Sequence, residues 1–320
     1  MTVHPEMAGL LRAFDQLGLG PVLSGPAPES RATMRALLLG RRDPATLAAV
    51  SSVSDETVPG PAGAIPVRVY RPEALGTIPT VVHFHGGGWT VGDLDTAEGQ
   101  ARRICRDVGA VVVSVDYRLA PEAPFPAAHD DAVAATRYVA EHIDAFGGDP
   151  TRLAVAGDSA GANLSAATAV AFRDQGAPHA AQLLIYPACD LAKEYPSYEE
   201  NAEGYMLTRD EMRSVTDRYL EGTNDRTDPR ASPLYTPNLG GLAPAVVAVA
   251  EHDPIRDDGI AYAQALEEAG TPVRLHFAEG MIHGFAAFTA ASPAADVLVS
   301  ALTADLADLL SSSGTGQAAG

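Results

Sequence analysis

The stretch "LAVAGDSAGAN", residues 153–163, decides the fold class. Its apolar start is typical of a buried β-strand, and the small residues that follow Ser159 are typical of a helix. Gly157 and Gly161 leave room for a sharp turn between the two, which would lift the Ser159 hydroxyl above a sheet and place a helix N-terminus behind it. Because ordinary tight turns also favour Gly, Asp and Ser, the rest of the chain must decide whether Ser159 is a nucleophile.

The flanking sequence repeats the alternation of strand and helix. Apolar runs that predict strands begin near residues 67, 80, 110, 153, 182, 245 and 273. Helical patterns lie between most of them, at about 95–108, 130–145, 160–174, 260–269 and 294–310. Several runs are apolar without alternation, as in parallel strands that are buried on both faces. The sequence therefore predicts an α/β fold with a mostly parallel, doubly wound sheet.

Two segments interrupt this alternation. Residues 1–50 carry helical patterns broken by a glycine- and proline-rich loop, and a polar insertion with a helix near 209–220 lies at about 190–230. Long insertions over an α/β sheet are usually functional, so we expect both segments to form a helical cap on an α/β domain spanning residues 51–312. Residues 313–320 are expected to be a disordered tail.

A second chemistry-bearing stretch is "VVHFHGGGWTVGD", residues 81–93. A dinucleotide-binding fingerprint would need a glycine at position 91, where this chain has valine. Three consecutive glycines after a strand favour instead a loop whose backbone N–H groups approach an oxygen that acquires negative charge. A merely flexible loop is the weaker interpretation, because the large Trp89 side chain follows at once and would pack.

A nucleophilic serine needs a base, and that base needs an acid to orient it. Asp253 and His283 each come just after one of the last two predicted strands, and the order Ser, Asp, His along the chain suits this role. Three other carboxylates compete with Asp253, and His252 competes with His283 as the base. The competing carboxylates are Glu251, Asp257 and Asp258.

Composition excludes several other functions. The chain has 320 residues and a formal net charge of −19, which would repel nucleic acid and anionic membranes. No apolar run reaches membrane-spanning length and no leader pattern is visible at the start, so we expect a cytoplasmic protein. Cys105 and Cys189 are far apart and are expected to be buried free thiols. No cluster of histidine, cysteine and carboxylate residues suggests a metal site, and no cofactor is expected.

Together these blocks resemble the bacterial hormone-sensitive-lipase-like esterases of the α/β-hydrolase superfamily. The resemblance runs from about residue 65 to 290 through "HGGGW" (85–89), "YRLAPE" (117–122), "GDSAG" (157–161), "DPIRD" (253–257) and "HGF" (283–285). It implies Ser159 as nucleophile, Asp253 and His283 as its partners, and an oxyanion hole. The oxyanion-hole donors that it implies are the backbone N–H groups of Gly87, Gly88 and Ala160.

The resemblance also bears on neighbouring residues. His85 would tie down the glycine loop, and Asp158 would serve the surroundings of the serine turn. "NAEGYMLT" (201–208) is similar to a segment that borders the substrate pocket, which makes Tyr205 and Met206 candidate substrate contacts, together with Trp89.

The expected function is that of a serine carboxylesterase acting on short- to medium-chain esters, with a small-molecule ester as its partner and a homodimer as a possible assembly. Two alternatives stay open. One is a non-catalytic small-molecule receptor on the same fold, and the other is an amidase or deacetylase that uses the same three residues.

Overall fold

The computed structural model of the protein describes residues 2–40, 42–74, 76–177, 179–223 and 225–313. Within them the strands are β1 (Ser52–Gly60), β2 (Gly63–Arg71), β3 (Ile78–Phe84), β4 (Val111–Val115), β5 (Gly148–Asp158), β6 (Ala181–Ile185), β7 (Ala245–His252) and β8 (Val273–Ile282). The α-helices are α1 (Pro5–Gln16), α2 (Ala27–Leu39), α3 (Leu94–Val108), α4 (Ala127–Glu141), α5 (Ala160–Asp174), α6 (Pro196–Glu200), α7 (Arg209–Tyr219), α8 (Arg256–Glu268) and α9 (Pro293–Ser313).

The strands form one sheet in the order β1-β2-β4-β3-β5-β6-β7-β8. β1 and β2 are antiparallel to their neighbours, whereas β3, β4, β5, β6, β7 and β8 are all parallel to one another. The prediction of a mostly parallel, doubly wound sheet is confirmed. All of the parallel strands direct their carboxyl ends to one edge, which is where such sheets place their sites.

Helices cover both faces of the sheet. Leu164 of α5 and Tyr262 of α8 lie in the apolar cluster on one face, while Ile104 of α3 and Leu302 of α9 lie in the cluster on the other. The adjacent β3 residues Val81 and Val82 lie in opposite clusters, and both are fully buried. The absence of alternation in these strands thus follows from burial on both sides.

β1 was not predicted from the sequence. Its run "SVSDETVPG" is polar, contains a proline and is mostly exposed. As an edge strand it is held through its backbone pairing with β2 rather than through an apolar face. The apolar periodicity that identified the other strands is therefore missing here.

The N-terminal segment and the insertion between β6 and β7 are bonded to each other. Buried Glu211 of α7 accepts a hydrogen bond from the Leu23 backbone N–H at 2.7 Å. Arg218 of the same helix donates to the carbonyl oxygens of Leu23, Ser24 and Gly25. These bonds support the predicted cap, although its bounds at 1–50 and 190–230 stay predictions.

At the C-terminus, α9 ends at Ser313, and residues 314–320 of the predicted tail lie outside the described residues. Of the helices in the described ranges, none has the length and apolar character that crossing a bilayer requires.

Candidate active site

Ser159 occupies the turn between β5 and α5. Its backbone has φ 53° and ψ −120°, a conformation that costs a non-glycine residue free energy. Its N–H donates to the Ile185 carbonyl oxygen at 2.9 Å, which anchors the turn to the neighbouring strand. The side chain is partly exposed at the carboxyl edge of the sheet, as a nucleophile must be.

The glycines around Ser159 are required by close backbone approach. A Cβ atom at Gly161 would lie 2.6 Å from the His85 carbonyl oxygen and closer still to that of Phe84. A Cβ atom at Gly157 would lie 2.7 Å from the Phe84 carbonyl oxygen. The first turn of α5 can therefore pack against the end of β3 only without side chains at these positions.

His283 and Asp253 meet Ser159 at this edge. They directly follow β8 and β7, so the carboxyl ends of three strands bring them together. The distance from His283 Nε2 to Ser159 Oγ is 3.0 Å, and that from His283 Nδ1 to Asp253 Oδ2 is 2.7 Å. Asp253 has no exposed surface, and its other carboxylate oxygen accepts the Ile255 N–H at 3.0 Å.

The competing carboxylates bond elsewhere. Asp257 accepts from the Ser197 N–H, Asp258 from the Cys189 N–H and Glu251 from the Gly280 N–H. The competing His252 stacks on the Tyr205 ring with 4.8 Å between ring centroids. None of the four has a hydrogen bond to His283 or Ser159 among the described residues.

The glycine loop after β3 lies beside the serine. Gly87, Gly88 and Trp89 have successive φ values of 122°, 56° and 53°, all in the left-handed region. Within the described residues, the N–H groups of Gly87, Gly88 and Ala160 have no hydrogen-bond acceptor. Ala160 is the first residue of α5, where an N–H has no partner inside the helix.

Two side chains hold the start of this loop. Asp158 accepts the Gly86 N–H at 2.9 Å, and its other oxygen lies 3.4 Å from the Tyr186 hydroxyl. His85 bonds the Gly86 carbonyl oxygen through Nδ1 at 2.8 Å and stacks on Tyr117. Burial lowers the pKa of His85, which favours the neutral ring. Both residues thus have the supporting contacts that the sequence led us to expect.

The candidate substrate contacts differ in position. Met206 is partly exposed, and its sulfur lies 3.3 Å from where a Cβ atom at Gly284 would be, beside His283. Tyr205 is also partly exposed. The structure does not bring Trp89 to this surface, because its side chain is fully buried and stacks on Tyr219 of α7 at 4.4 Å. The sequence led us to expect that Trp89 packs, but its partner Tyr219 belongs to the distant insertion, so the local sequence could not exclude a substrate contact.

Sequence reasoning missed Tyr186. Its ring centroid lies 4.5 Å from that of His283, and its φ is 39°. It follows β6 directly, so its place at the carboxyl edge of a predicted strand was the available signal. By packing beneath the imidazole it restricts the orientations that the ring can adopt.

No group of three or more histidine, cysteine, aspartate or glutamate residues that could hold a metal ion occurs in the described part of the chain. Ser159, His283 and buried Asp253 form one hydrogen-bonded series.

A serine at the turn after a parallel strand, with histidine and aspartate partners after later strands, defines the class of α/β-hydrolases. A sequence profile described as "alpha/beta hydrolase fold" matches residues 81–287. The chain belongs to this family.

Relatives extend the match to most of the chain. The carboxylic ester hydrolase LipN of Mycobacterium tuberculosis is 44% identical, over 89% of this chain and 77% of its own. The ethyl acetate hydrolase of Pseudomonas putida is 36% identical, over 89% of this chain and 92% of its own. The solved structure of a hyperthermophilic esterase from the archaeon Pyrobaculum calidifontis is 38% identical with a TM-score of 0.91, and the match covers 97% of this chain and 99% of that one. These likenesses confirm the resemblance to hormone-sensitive-lipase-like esterases.

Proposed function

We propose that the protein is a serine carboxylesterase in which Ser159, His283 and Asp253 carry out the reaction. The observation that carries this proposal is the hydrogen-bonded series from Ser159 Oγ through His283 to fully buried Asp253, at 3.0 Å and 2.7 Å. Its members lie within the distance that proton transfer between nucleophile and base requires. The esterase and ester hydrolase names of the relatives support the same activity.

In the first half of the reaction, Ser159 Oγ attacks the ester carbonyl carbon while His283 Nε2 takes its proton. Asp253 accepts the Nδ1–H of His283, which fixes the tautomer with a free Nε2 lone pair and stabilises the imidazolium that forms. The C–O bond to the alcohol then breaks, and the imidazolium returns its proton to the leaving oxygen. The product of this half is an acyl-enzyme on Ser159.

The negative charge on the carbonyl oxygen is stabilised by backbone donors. We assign this role to the N–H groups of Gly87, Gly88 and Ala160, which have no acceptor in the described residues. Each such donor is worth about 3 kcal/mol in comparable sites. The start of α5 adds its positive helix dipole to the same position.

In the second half, water replaces the alcohol as the attacking group. His283 takes a proton from water, the hydroxide oxygen bonds to the acyl carbon, and the bond to Ser159 Oγ breaks as the serine regains its proton. The carboxylic acid leaves and the enzyme is restored. Every proton in this cycle is moved by His283, so no cofactor is required.

We further propose that the acyl chains are short to medium in length. The name of the ethyl acetate hydrolase among the relatives supports small esters. Met206 and Tyr205, partly exposed near His283 and His252, are the proposed contacts to the substrate. A series of p-nitrophenyl esters from acetate to dodecanoate tests this, with the highest kcat/KM expected at or below octanoate.

The activity itself is tested with p-nitrophenyl butyrate and the Ser159→Ala variant. Wild-type protein is expected to release p-nitrophenolate, and the variant is expected to lose this activity with its fold unchanged by circular dichroism. A wild-type protein that binds short esters without hydrolysing them would refute the esterase and favour a receptor. Faster cleavage of the matching p-nitroanilides would favour an amidase.

A homodimer formed through β8 is also proposed. β8 is the last strand of the sheet, and Leu275 and Phe277 on one of its faces are each 42% exposed. An edge strand with exposed apolar residues favours pairing with a second copy. Light scattering of wild-type protein should give twice the monomer mass, and Phe277→Asp should give the monomer mass. A wild-type monomer at micromolar concentration would rule out the dimer.

We propose a cytoplasmic location as well. Both cysteines, Cys105 and Cys189, are free and buried, which suits a reducing compartment. Fractionation of cells that produce the protein should recover the esterase activity with cytoplasmic markers, and recovery with the cell envelope would contradict this.

A further inference from the structure

The strained glycine loop raises the question of what holds it in place. Trp89, which is not a glycine, has a φ of 53°, and such a strained backbone persists only where the surroundings fix it. Two of the N–H groups proposed to bind the oxyanion, those of Gly87 and Gly88, belong to this segment. Their direction therefore depends on contacts made by the loop as it continues into Thr90 and Val91.

Thr90 is tied back onto the glycines. Its N–H donates to the Gly87 carbonyl oxygen at 3.1 Å, and its hydroxyl donates to the Gly88 carbonyl oxygen at 3.0 Å. The Trp89 carbonyl oxygen accepts the Ala120 N–H at 2.9 Å. Any group that fixes the Thr90 and Ala120 carbonyls therefore fixes the far end of the glycine loop.

Arg31 of the N-terminal helix α2 makes both of these contacts. Its Nε donates to the Thr90 carbonyl oxygen at 2.9 Å, and its Nη2 donates to the Ala120 carbonyl oxygen at 3.0 Å. Nη1 and Nη2 also bond the two carboxylate oxygens of Glu122, at 2.9 Å and 2.6 Å. The planar guanidinium bonds these four oxygens at once in a fixed geometry, which the three donors of a lysine ammonium cannot do.

We propose that Arg31 is a positioning residue for the oxyanion hole, through which the N-terminal helix sets the direction of the Gly87 and Gly88 N–H groups. The inference rests on the proposed esterase function and deepens it. It makes α2 part of the catalytic geometry. Since the donors act on charge that develops in the transition state, loss of Arg31 should lower kcat more than it changes KM.

The same helix supplies a matched control. Arg35, one turn further along α2, pairs with Asp93 and with Asp95, the latter at 2.9 Å. These carboxylates belong to the start of α3, and Arg35 has no hydrogen bond to the glycine loop in the described residues. Arg31→Met and Arg35→Met thus each remove one arginine of α2, with its one or two ion pairs, but only the first frees the Thr90 carbonyl.

The experiment compares steady-state kinetics on p-nitrophenyl butyrate for Arg31→Met, Arg31→Lys, Arg35→Met and Glu122→Gln, together with the melting temperature of each. We expect Arg31→Met to lower kcat roughly tenfold with KM within about twofold of wild type. Arg31→Lys should not restore kcat, since one ammonium group cannot span both carbonyls. Arg35→Met and Glu122→Gln should keep kcat within about twofold of wild type.

A second measurement separates positioning from loss of fold. Reaction with a p-nitrophenyl phosphonate places an oxygen where the oxyanion would lie, so its inactivation rate should fall in parallel with kcat in Arg31→Met. An unchanged kcat in Arg31→Met, or an equal fall in Arg35→Met, would overturn the inference. Failure of the wild type to hydrolyse esters would instead overturn the proposed function, whatever the arginine variants do.

Discussion

Substitution of Gly161 by alanine tests whether the close approach of α5 to β3 sets the position of Ser159. The added methyl group would meet the His85 carbonyl oxygen at 2.6 Å and the Phe84 carbonyl oxygen at a still shorter distance. Ordinary contact between such atoms requires roughly 3.5 Å, so the helix start must move by at least about 1 Å. Both neighbours are backbone atoms next to a fully buried strand, and they cannot turn aside as a flexible side chain would.

Two effects of known size should follow from Gly161→Ala. Forcing extra volume into a packed region costs about 1–3 kcal/mol of unfolding free energy, which lowers the melting temperature by several degrees. Displacing Ser159 and the Ala160 N–H by about 1 Å should lower kcat by up to about 100-fold. Calorimetry and steady-state hydrolysis of p-nitrophenyl butyrate measure the two effects separately.

The matched control is Gly99→Ala in the middle of α3. Apart from the adjoining residues and the backbone of α3 itself, no atom of the described residues lies within 4 Å of where its Cβ would be, so the variant should keep wild-type kcat and gain about 0.5–1 kcal/mol from helix propensity. Wild-type kcat and melting temperature in Gly161→Ala would refute the reasoning, because the turn would then tolerate a side chain where the structure leaves no space.

Three further predictions concern carboxylates. Asp253→Asn should lower kcat by about 10³-fold or more with little change in KM, since a neutral amide cannot stabilise the His283 imidazolium; activity near wild type would contradict this. Glu211→Gln should lower the free energy of unfolding in urea by about 1–3 kcal/mol, because glutamine has one acceptor oxygen and can accept only one of the Leu23 and Thr208 N–H groups; unchanged stability would contradict that. Burial raises the pKa of Asp158 to about 6, so the folded state binds its proton more tightly than the unfolded state, and the contribution of this carboxyl group to stability falls as pH rises from about 4 to 6. Asp158→Asn should therefore gain stability relative to wild type by on the order of 2 kcal/mol across that interval, measured by urea unfolding at pH 4 and pH 7, and a constant difference would contradict it.

The three proposed catalytic residues could be found from the sequence, because each one follows a strand that its apolar residues identify. Once the strands are parallel, their carboxyl ends share one edge, and chain order then favours Asp253 and His283. Asp253 is also preferred to Asp257 and Asp258 on sequence grounds, because it falls nearest the end of a predicted strand, whereas the hydrogen-bond partners of the two competing carboxylates could be read only from the structure.

Other parts of the site carry no local signal. The burial of Trp89 against Tyr219 depends on an insertion more than a hundred residues away along the chain. The contact between Arg31 and the Thr90 carbonyl joins α2 to a loop 59 residues later. β1 is a strand because its backbone pairs with β2, and its polar residues have no apolar periodicity by which the sequence could reveal it.

The most direct test of the account is covalent labelling of Ser159. Treatment with diethyl p-nitrophenyl phosphate should release one p-nitrophenolate per protein chain, and peptide mass spectrometry should place the diethylphosphoryl group on Ser159. The Ser159→Ala variant should release none, and Asp253→Asn should react much more slowly. Stoichiometric labelling at another residue, or no labelling of a wild-type protein that hydrolyses esters, would contradict the assignment of Ser159 as the nucleophile.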